Sequence, residues 1–401
     1  VIMIMKKVLI SSFDMEVGGV ERSLISMLEN FDYENNEVDL NLYSHTGDFF
    51  PLLPKKHRLL DENKKLATFR KPISRVFKEG NIILGSMRIL AIFLSKIIAK
   101  KDKLPGASIV QMQLMWKLSV PFLPKMKKKY DVAISYLWPH YYVAEKVNAK
   151  KKIAWIHTDY SVLETDIDMD LKIWDKYDHI IAVSEECKNA FLNKYPSLKN
   201  KVLVIENITS SEFIKKLADE EIVEKEIIED KSFKVVTVAR LSYAKGIDRA
   251  VEALNILHNR GLKDIKWYVV GDGGHDNIIN DTINKYKLKN HFKLVGMKMN
   301  PYPYMKMADI YVQPSRYEGK AVTVSEAKVV GKPIVITNYA TAKSQVKDNI
   351  DGIICEQSIE GIANGIEKLY KDRLLRNSLS KACKEMNHDN KEELKKLYKL
   401  F

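Results

Sequence analysis

The chain has 401 residues, 46% of them hydrophobic and 29% charged, with a formal net charge of +13. That length and balance suffice for two globular domains with full cores and exclude a disordered or fibrous protein. Cys187, Cys355 and Cys383 have neither metal-ligand nor CxxC spacing, so no disulfide framework is implied, and the trio fits a reducing cytosol.

The start, Val1 to Lys7, is apolar and then basic, the reverse order of a signal peptide, so secretion is not expected. Short β-branched runs then alternate with helical patterns, which predicts parallel sheets covered by helices. In a first set, strands are expected near 7–11, 38–43, 131–136, 152–157, 179–184 and 202–205, with helices near 20–29 and 185–194. The acidic stretch 210–231 reads as a helix and linker, placing a domain boundary at 209/210. A second set follows, with strands near 233–239, 265–270, 292–295, 310–313 and 333–337, and helices near 247–259, 322–330 and 358–370. The second domain is expected to span 210–385. The Lys- and Glu-rich tail from 373 reads as helical throughout, with 386–401 a C-terminal helix that could pack back on the first domain. Two open α/β sheets in tandem bind ligands at the carboxyl ends of their strands, which points to chemistry in a cleft between domains.

The basicity is concentrated. Residues 51–130 hold nineteen Lys and Arg against four Asp and Glu, an excess of fifteen, so the remainder of the chain sums to −2. Basic clusters at 55–58, 64–65, 100–103 and 125–129 surround an apolar run over 82–98 that is interrupted by Arg88 and Lys96. Those two charges and the short length argue against a membrane span. Two readings stand side by side: a peripheral helix leaning on anionic lipid, and a buried core helix with a solvated basic rim. Nucleic acid is not expected as a partner, because no recognition module is present.

Four motifs carry chemistry. Gly18 and Gly19 follow the first strand and let backbone approach a ligand before a helix begins, although turn formation alone would also explain them. The second domain's first strand empties into Arg240-Leu-Ser-Tyr-Ala-Lys245-Gly246, where a fork and a point charge converge as a diphosphate clamp would require. Ser315-Arg316-Tyr317-Glu318 through Glu326-Ala327 sets two glutamates eight apart across a strand-to-helix turn, where unpaired N–H groups collect anions and carboxylates suit sugar hydroxyls. His157 ends a strand, which places it at a cleft mouth rather than in the core. Gly271-Asp-Gly-Gly-His-Asp276 misses the dinucleotide fingerprint at its third glycine, which argues against an oxidoreductase. Asp166-Ile-Asp168-Met-Asp170 is assigned to a solvated loop or helix rather than to a metal site.

Together, Gly18-Gly19-Val20-Glu21-Arg22, Arg240 with Lys245-Gly246, and Glu318 through Glu326 to Gly331-Lys332-Pro333 resemble family 4 of the retaining glycosyltransferases, the bacterial surface-polysaccharide type, over nearly the whole chain. The resemblance implies an α/β GT-B fold of two Rossmann-like domains. It implies that Arg240 and Lys245 hold the donor diphosphate, that Glu326 binds ribose, and that Glu318 lies near the donor sugar. Gly319, Lys320, Ala321 and Val322 would offer N–H groups to phosphate or sugar. Gly18 and Gly19 would admit acceptor and diphosphate, and His157 would contact the donor sugar. Two departures stand out: Lys320-Ala321-Val322 where the family commonly has Phe-Gly-Leu, and Glu206-Asn207-Ile208 where it has Pro-Asn-Gly.

The expectation is therefore a cytoplasmic enzyme, peripheral at the inner face of the membrane, that needs no metal and no cofactor. It would transfer a hexose or N-acetylhexosamine from a nucleotide sugar, UDP-linked by preference, to a lipid-linked or growing surface glycan. A non-catalytic nucleotide-sugar-binding relative and a soluble glycogen- or sucrose-type synthase remain as alternatives.

Overall fold

The β-branched runs form two separate parallel sheets in the computed structural model, which describes residues 5–101, 108–220 and 224–401. The apolar start, part of the basic run at 100–103 and the end of the acidic run at 219–221 lie outside the described residues. The chain divides into two units, one made of residues up to Ile208 together with Lys391–Phe401, the other of Thr209–Asn390.

The first unit's strands are β1 (Lys6–Ser12), β2 (Asn36–Leu42), β3 (Arg58–Leu59), β4 (Lys129–Ser135), β5 (Asn148–Ile156), β6 (His179–Ala182) and β7 (Val202–Val204). They pair in parallel in the order β3-β2-β1-β4-β5-β6-β7. Helix α1 (Gly19–Glu29) follows β1. Between β3 and β4 come α2 (Ile73–Lys78), α3 (Ile82–Lys101) and α4 (Ser108–Ser119), and between β5 and β7 come α5 (Ile167–Trp174) and α6 (Glu185–Lys194).

The second unit's strands are β8 (Phe233–Val238), β9 (Ile265–Val270), β10 (Phe292–Gly296), β11 (Ile310–Gln313), β12 (Ile334–Thr337) and β13 (Gly352–Cys355), in the order β10-β9-β8-β11-β12-β13, again all parallel. Helices cover both faces, as buried parallel strands require. On one side α7 (Ile247–Asn259) and, later in the chain, the Ile359–Lys371 helix bury Val251, Leu254, Ile362 and Ile366 against Val235, Trp267 and Val312. On the other, α8 (Tyr302–Met307) and α9 (Val322–Val329) bury Tyr304, Met305, Val324 and Ala327 against Val236, Tyr311 and Ile336. The Ile359–Lys371 helix, α10, is capped by Ser358, whose hydroxyl accepts the Gly361 N–H at 2.9 Å.

Three expectations need correction. β3 and β13 add to the expected strands, and the two residues of β3 are too few to carry a period. The tail is not one helix: α11 (Arg373–Glu385) ends and α12 (Glu392–Tyr398) begins after an irregular Met386–Lys391 segment. The cause is Asn387-His-Asp-Asn390, whose side chains take backbone amides: Asp389 accepts the Ser211 N–H and Asn390 the Thr209 N–H, both at 2.8 Å. Past that break the tail belongs to the first unit, where Tyr398 OH accepts the Asp32 N–H at 2.8 Å. Finally, the 82–98 run is part of a helix that is long and apolar enough to cross a membrane by length and composition, so length is no argument against spanning.

Candidate functional site

In an open parallel sheet, the crevice lies where adjacent strands send their connections in opposite directions. In the second unit that point lies between β8 and β11, and the loops leaving these two strands carry the cations and carboxylates. Gly246 lets them meet. Its φ of +65° is a left-handed conformation, and a Cβ there would stand 2.2 Å from the Pro314 carbonyl oxygen. Across this junction Lys245 Nζ reaches both carboxylate oxygens of Glu318 at 2.6 Å.

Glu318 is buried, and its charge is held by more than the lysine. Oε1 also accepts Ser315 Oγ at 2.7 Å and Gln313 Nε2 at 3.1 Å. Tyr311 OH and Thr323 Oγ1 in turn donate to Gln313 Oε1, which fixes the amide orientation. Such a buried carboxylate is costly to expose to an apolar surrounding but stable when every lone pair is used. Arg240, on the same loop as Lys245, is exposed and has no side-chain partner among the described residues.

Glu326 lies just over one turn inside α9, nearly fully buried, and accepts Tyr302 OH at 2.9 Å. Neither glutamate of the pair faces water. Val322 opens α9, and geometry leaves its N–H and that of Thr323 without intrahelical acceptors. Gly319 and Lys320 are half-buried in the turn before it. The Ala321 N–H, expected to face a ligand, is instead bonded to Gln345 Oε1 at 3.0 Å. Gln345 Nε2 donates to Thr341 Oγ1, and Thr341 donates to the Glu318 carbonyl at 3.2 Å. The 318–321 turn is thus held at both ends from one helix-sized segment.

In the first unit the corresponding point lies between β1 and β4. Gly18 is the extended N-cap of α1 and Gly19 its exposed first residue. His157 directly follows β5, its ring 4.7 Å from Tyr136 and stacked on Trp155. Tyr136 OH bonds Ser23 Oγ of α1 at 2.7 Å, and Ser23 donates to Asn207 at 2.7 Å, so one chain of contacts joins the ends of β4, β5 and β7 to α1. His157 keeps some exposure as a residue, but its Nε2 is buried without a partner among the described residues. Burial presses its pKa down to about 3, and a bond to the Tyr136 backbone only partly opposes this. His140, after β4, has the same character: Nδ1 meets Ser135 Oγ at 2.8 Å, Nε2 has no partner, and burial with the neighbouring His157 lowers its pKa to about 3.

The aspartates at 166–170 are not simply solvated. Asp166 caps α5 by accepting the Met169 N–H at 2.9 Å, whereas Asp170 is buried between Tyr195 OH and Gln113 Nε2, both at 2.7 Å. Burial raises the Asp170 pKa to about 6. Among the described residues, no group of three or more His, Cys, Asp and Glu has metal-site geometry. The near-dinucleotide run is also explained by packing: a Cβ at Gly271 would lie 2.0 Å from the Ala239 carbonyl oxygen.

Residues 218–386 match the family model described as glycosyl transferases group 1. The amylovoran biosynthesis glycosyltransferase AmsD of Erwinia amylovora is 24% identical over 382 residues, 94% of this chain and 93% of that one. The UDP-Gal:alpha-D-GlcNAc-diphosphoundecaprenol alpha-1,3-galactosyltransferase of Escherichia coli is 30% identical over 159 residues, 38% of this chain and 40% of its own length. The chain spans 43% and 40% of the length of two of the curated relatives it matches. Anabaena Alr3699/HepE, crystallised in complex with UDP-glucose, aligns with a TM-score of 0.68 at 16% identity, over 98% of this chain and 100% of that one. That likeness shows the GT-B fold.

Several polar side chains of the second unit's site have little or no local signal in the sequence. Ser315 had a signal, a hydroxyl three residues before a glutamate at the mouth of a helix, the spacing of a capping box. Gln313 had a weaker one, a polar residue ending an apolar strand. Tyr302 and Gln345 had none, since each meets its partner only through the fold.

Proposed function

We propose that this protein is a retaining, metal-independent glycosyltransferase that moves a hexose or N-acetylhexosamine from a UDP-linked donor to a lipid-linked or growing surface glycan. It works in the cytoplasm at the inner face of the membrane. The observation that carries this reading is the Lys245–Glu318 pair at 2.6 Å, at the switch point of the second sheet and beside the exposed Arg240. A cation pair suits a diphosphate, and a buried carboxylate suits sugar hydroxyls.

In this reading Arg240 and Lys245 neutralise the charge that grows on the departing UDP. The Val322 and Thr323 amides face phosphate, Glu326 takes the ribose hydroxyls, and Glu318 and His157 contact the donor sugar. Neutral His157 can accept or donate one hydrogen bond without bringing a charge near the anomeric carbon. Gly18 and Gly19 admit the acceptor. The bond from the anomeric carbon to the phosphate oxygen breaks, the acceptor oxygen bonds the same face, and its proton leaves on the phosphate. Metal independence is supported by the two cations, and by the engagement of Asp166 as a helix cap and of Asp170 with Tyr195 and Gln113.

A thermal-shift panel of UDP-, GDP- and ADP-sugars tests the donor, since stabilisation grows with the logarithm of concentration over Kd. UDP-sugars should stabilise the wild type, and Glu326→Ala should abolish the effect. Product anomers read by NMR, with and without a chelator, test retention and metal independence. Stabilisation by none of the three nucleotide classes would sink the reading.

A further inference from the structure

Helix α3 presents its apolar side outward. Exposed positions recur every three to four residues as Ile82, Ile83, Ser86, Ile89, Leu90, Phe93, Lys96, Ile97 and Lys100, one continuous face of the helix. Phe93 is 62% exposed and Ile82 64%, and only 22% of the stretch Ile82–Lys100, with mean hydropathy 2.0, is buried. The inward face carries buried Leu84, with Leu94 and Ile98 packed against the cluster around Ala91, together with small and polar residues. Gly85 receives the Phe77 ring of α2, where a Cβ would stand 2.7 Å away, and Ser95 is buried. Ala91 packs with Val110 and Leu114 of α4 and Met169 of α5, and Arg88 donates to the carbonyls of Thr68 and Lys71 at 2.9 and 2.7 Å. The helix is apolar on its outward face as well as its inward one, where a globular protein's surface helix is ordinarily polar, and this marks an interaction surface.

Charge selects the occupant. The apolar face ends in exposed Lys96 and Lys100, with exposed Lys78 on α2, and none of the three has an acidic partner among the described residues. They belong to the segment with an excess of fifteen positive charges, so a second copy docking face to face would bring like charge against like. An anionic lipid surface supplies both the apolar layer and the counter-charge. Packing argues against spanning, because Gly85 lies against Phe77 of α2 and Ala91 against residues of α4 and α5.

We infer that α3 docks this protein flat onto an anionic bilayer, with Ile82, Ile83, Ile89, Leu90, Phe93 and Ile97 entering the boundary between headgroups and acyl chains. At 1.5 Å per residue the helix lays a stripe roughly 30 Å long on the surface, deep enough at about 5–10 Å to seat the side chains below the phosphates. Lys96 and Lys100 extend along the apolar stripe to the lipid phosphates. Its use in catalysis rests on the proposed lipid-linked acceptor. The docking itself does not.

The test is flotation of the full chain with vesicles of phosphatidylcholine alone or with phosphatidylglycerol, at low and high salt. Wild type should float with the anionic vesicles, the double variant Ile89→Glu/Phe93→Glu at least about tenfold less, and Lys96→Glu/Lys100→Glu less chiefly at low salt. In Phe93→Trp, the tryptophan emission should shift to the blue on adding anionic vesicles and be quenched by brominated lipid. Folding of each variant is checked by circular dichroism, and donor stabilisation should be unchanged, which separates loss of docking from failure of the donor reading. Absence of wild-type binding, equal binding by the Ile89→Glu/Phe93→Glu variant, or a dimer whose interface already shields Phe93→Trp without vesicles would each overturn the inference.

Discussion

The two switch points handle buried polarity in opposite ways. At the second unit's β8/β11 junction, buried Glu318 is ionic and saturated, by Lys245, Ser315 and Gln313. At the first unit's β4 and β5 ends, buried His140 and partly exposed His157 are neutral rings, each with a buried Nε2 that has no partner among the described residues. A saturated charge fixes geometry, and on the proposed function it would bind by exchange, a donor sharing or displacing Lys245. An unsatisfied neutral nitrogen stores a cost that a ligand's hydroxyl can relieve.

Breaking the saturated side should give the largest effect. Lys245→Met leaves a buried carboxylate short of its cation and is expected to destabilise the second unit by about 3 kcal/mol, reduced from the fully buried case because Lys245 is itself partly exposed. Adding Glu318→Gln should restore part of that loss, because the uncompensated charge disappears with it. Urea unfolding midpoints of the two singles and the double measure the coupling. Simple additivity would show that the two groups are not a pair.

The next effect sharpens the neutral side. The His140 pKa is depressed from 6.5 to about 3, so the unfolded chain binds more protons between those values. Stability is therefore complete above about pH 6.5 and falls as pH drops, by about 1.4 kcal/mol per pH unit for this ring. His140→Gln should flatten that acid limb in pH-dependent unfolding. Asp170 acts with the opposite sign. Its pKa is raised from 3.8 to about 6, so its contribution is present below pH 3.8 and is lost as pH rises through 6. Asp170→Asn should recover about 2 kcal/mol at pH 7 relative to pH 4, measured on the same curves.

The smallest effect concerns support rather than contact. Gln345→Ala frees the Ala321 N–H and Thr341 hydroxyl, for a loss of about 1 kcal/mol in stability. It should raise the donor KM a few-fold with little change in kcat, because the 318–321 turn is loosened rather than removed. An equal fall in kcat and kcat/KM would place Gln345 in the transition state instead.

Much of this was legible in the sequence because the strands are short, compact apolar runs and the motifs sit at strand ends. Phe233–Val238 and Ile310–Gln313 announce themselves by composition, and the loops after them hold Lys245 and Glu318. Other features depend on partners distant in the chain. Gln345 lies 24 residues from Ala321, and nothing local marks it. His140 follows a strand but carries no motif. The run in α3 is apolar almost all round, so its period points nowhere, and only the packing of Gly85, Ala91 and Ser95 decides which side faces out.

The most direct measurement is calorimetric titration of a UDP-sugar into wild type, Lys245→Met and Glu326→Ala. Binding to the wild type, weakened at least about tenfold in each variant, is the expected result. Equal affinity across all three proteins, or no binding to the wild type, would contradict the placement of the donor at the β8/β11 junction.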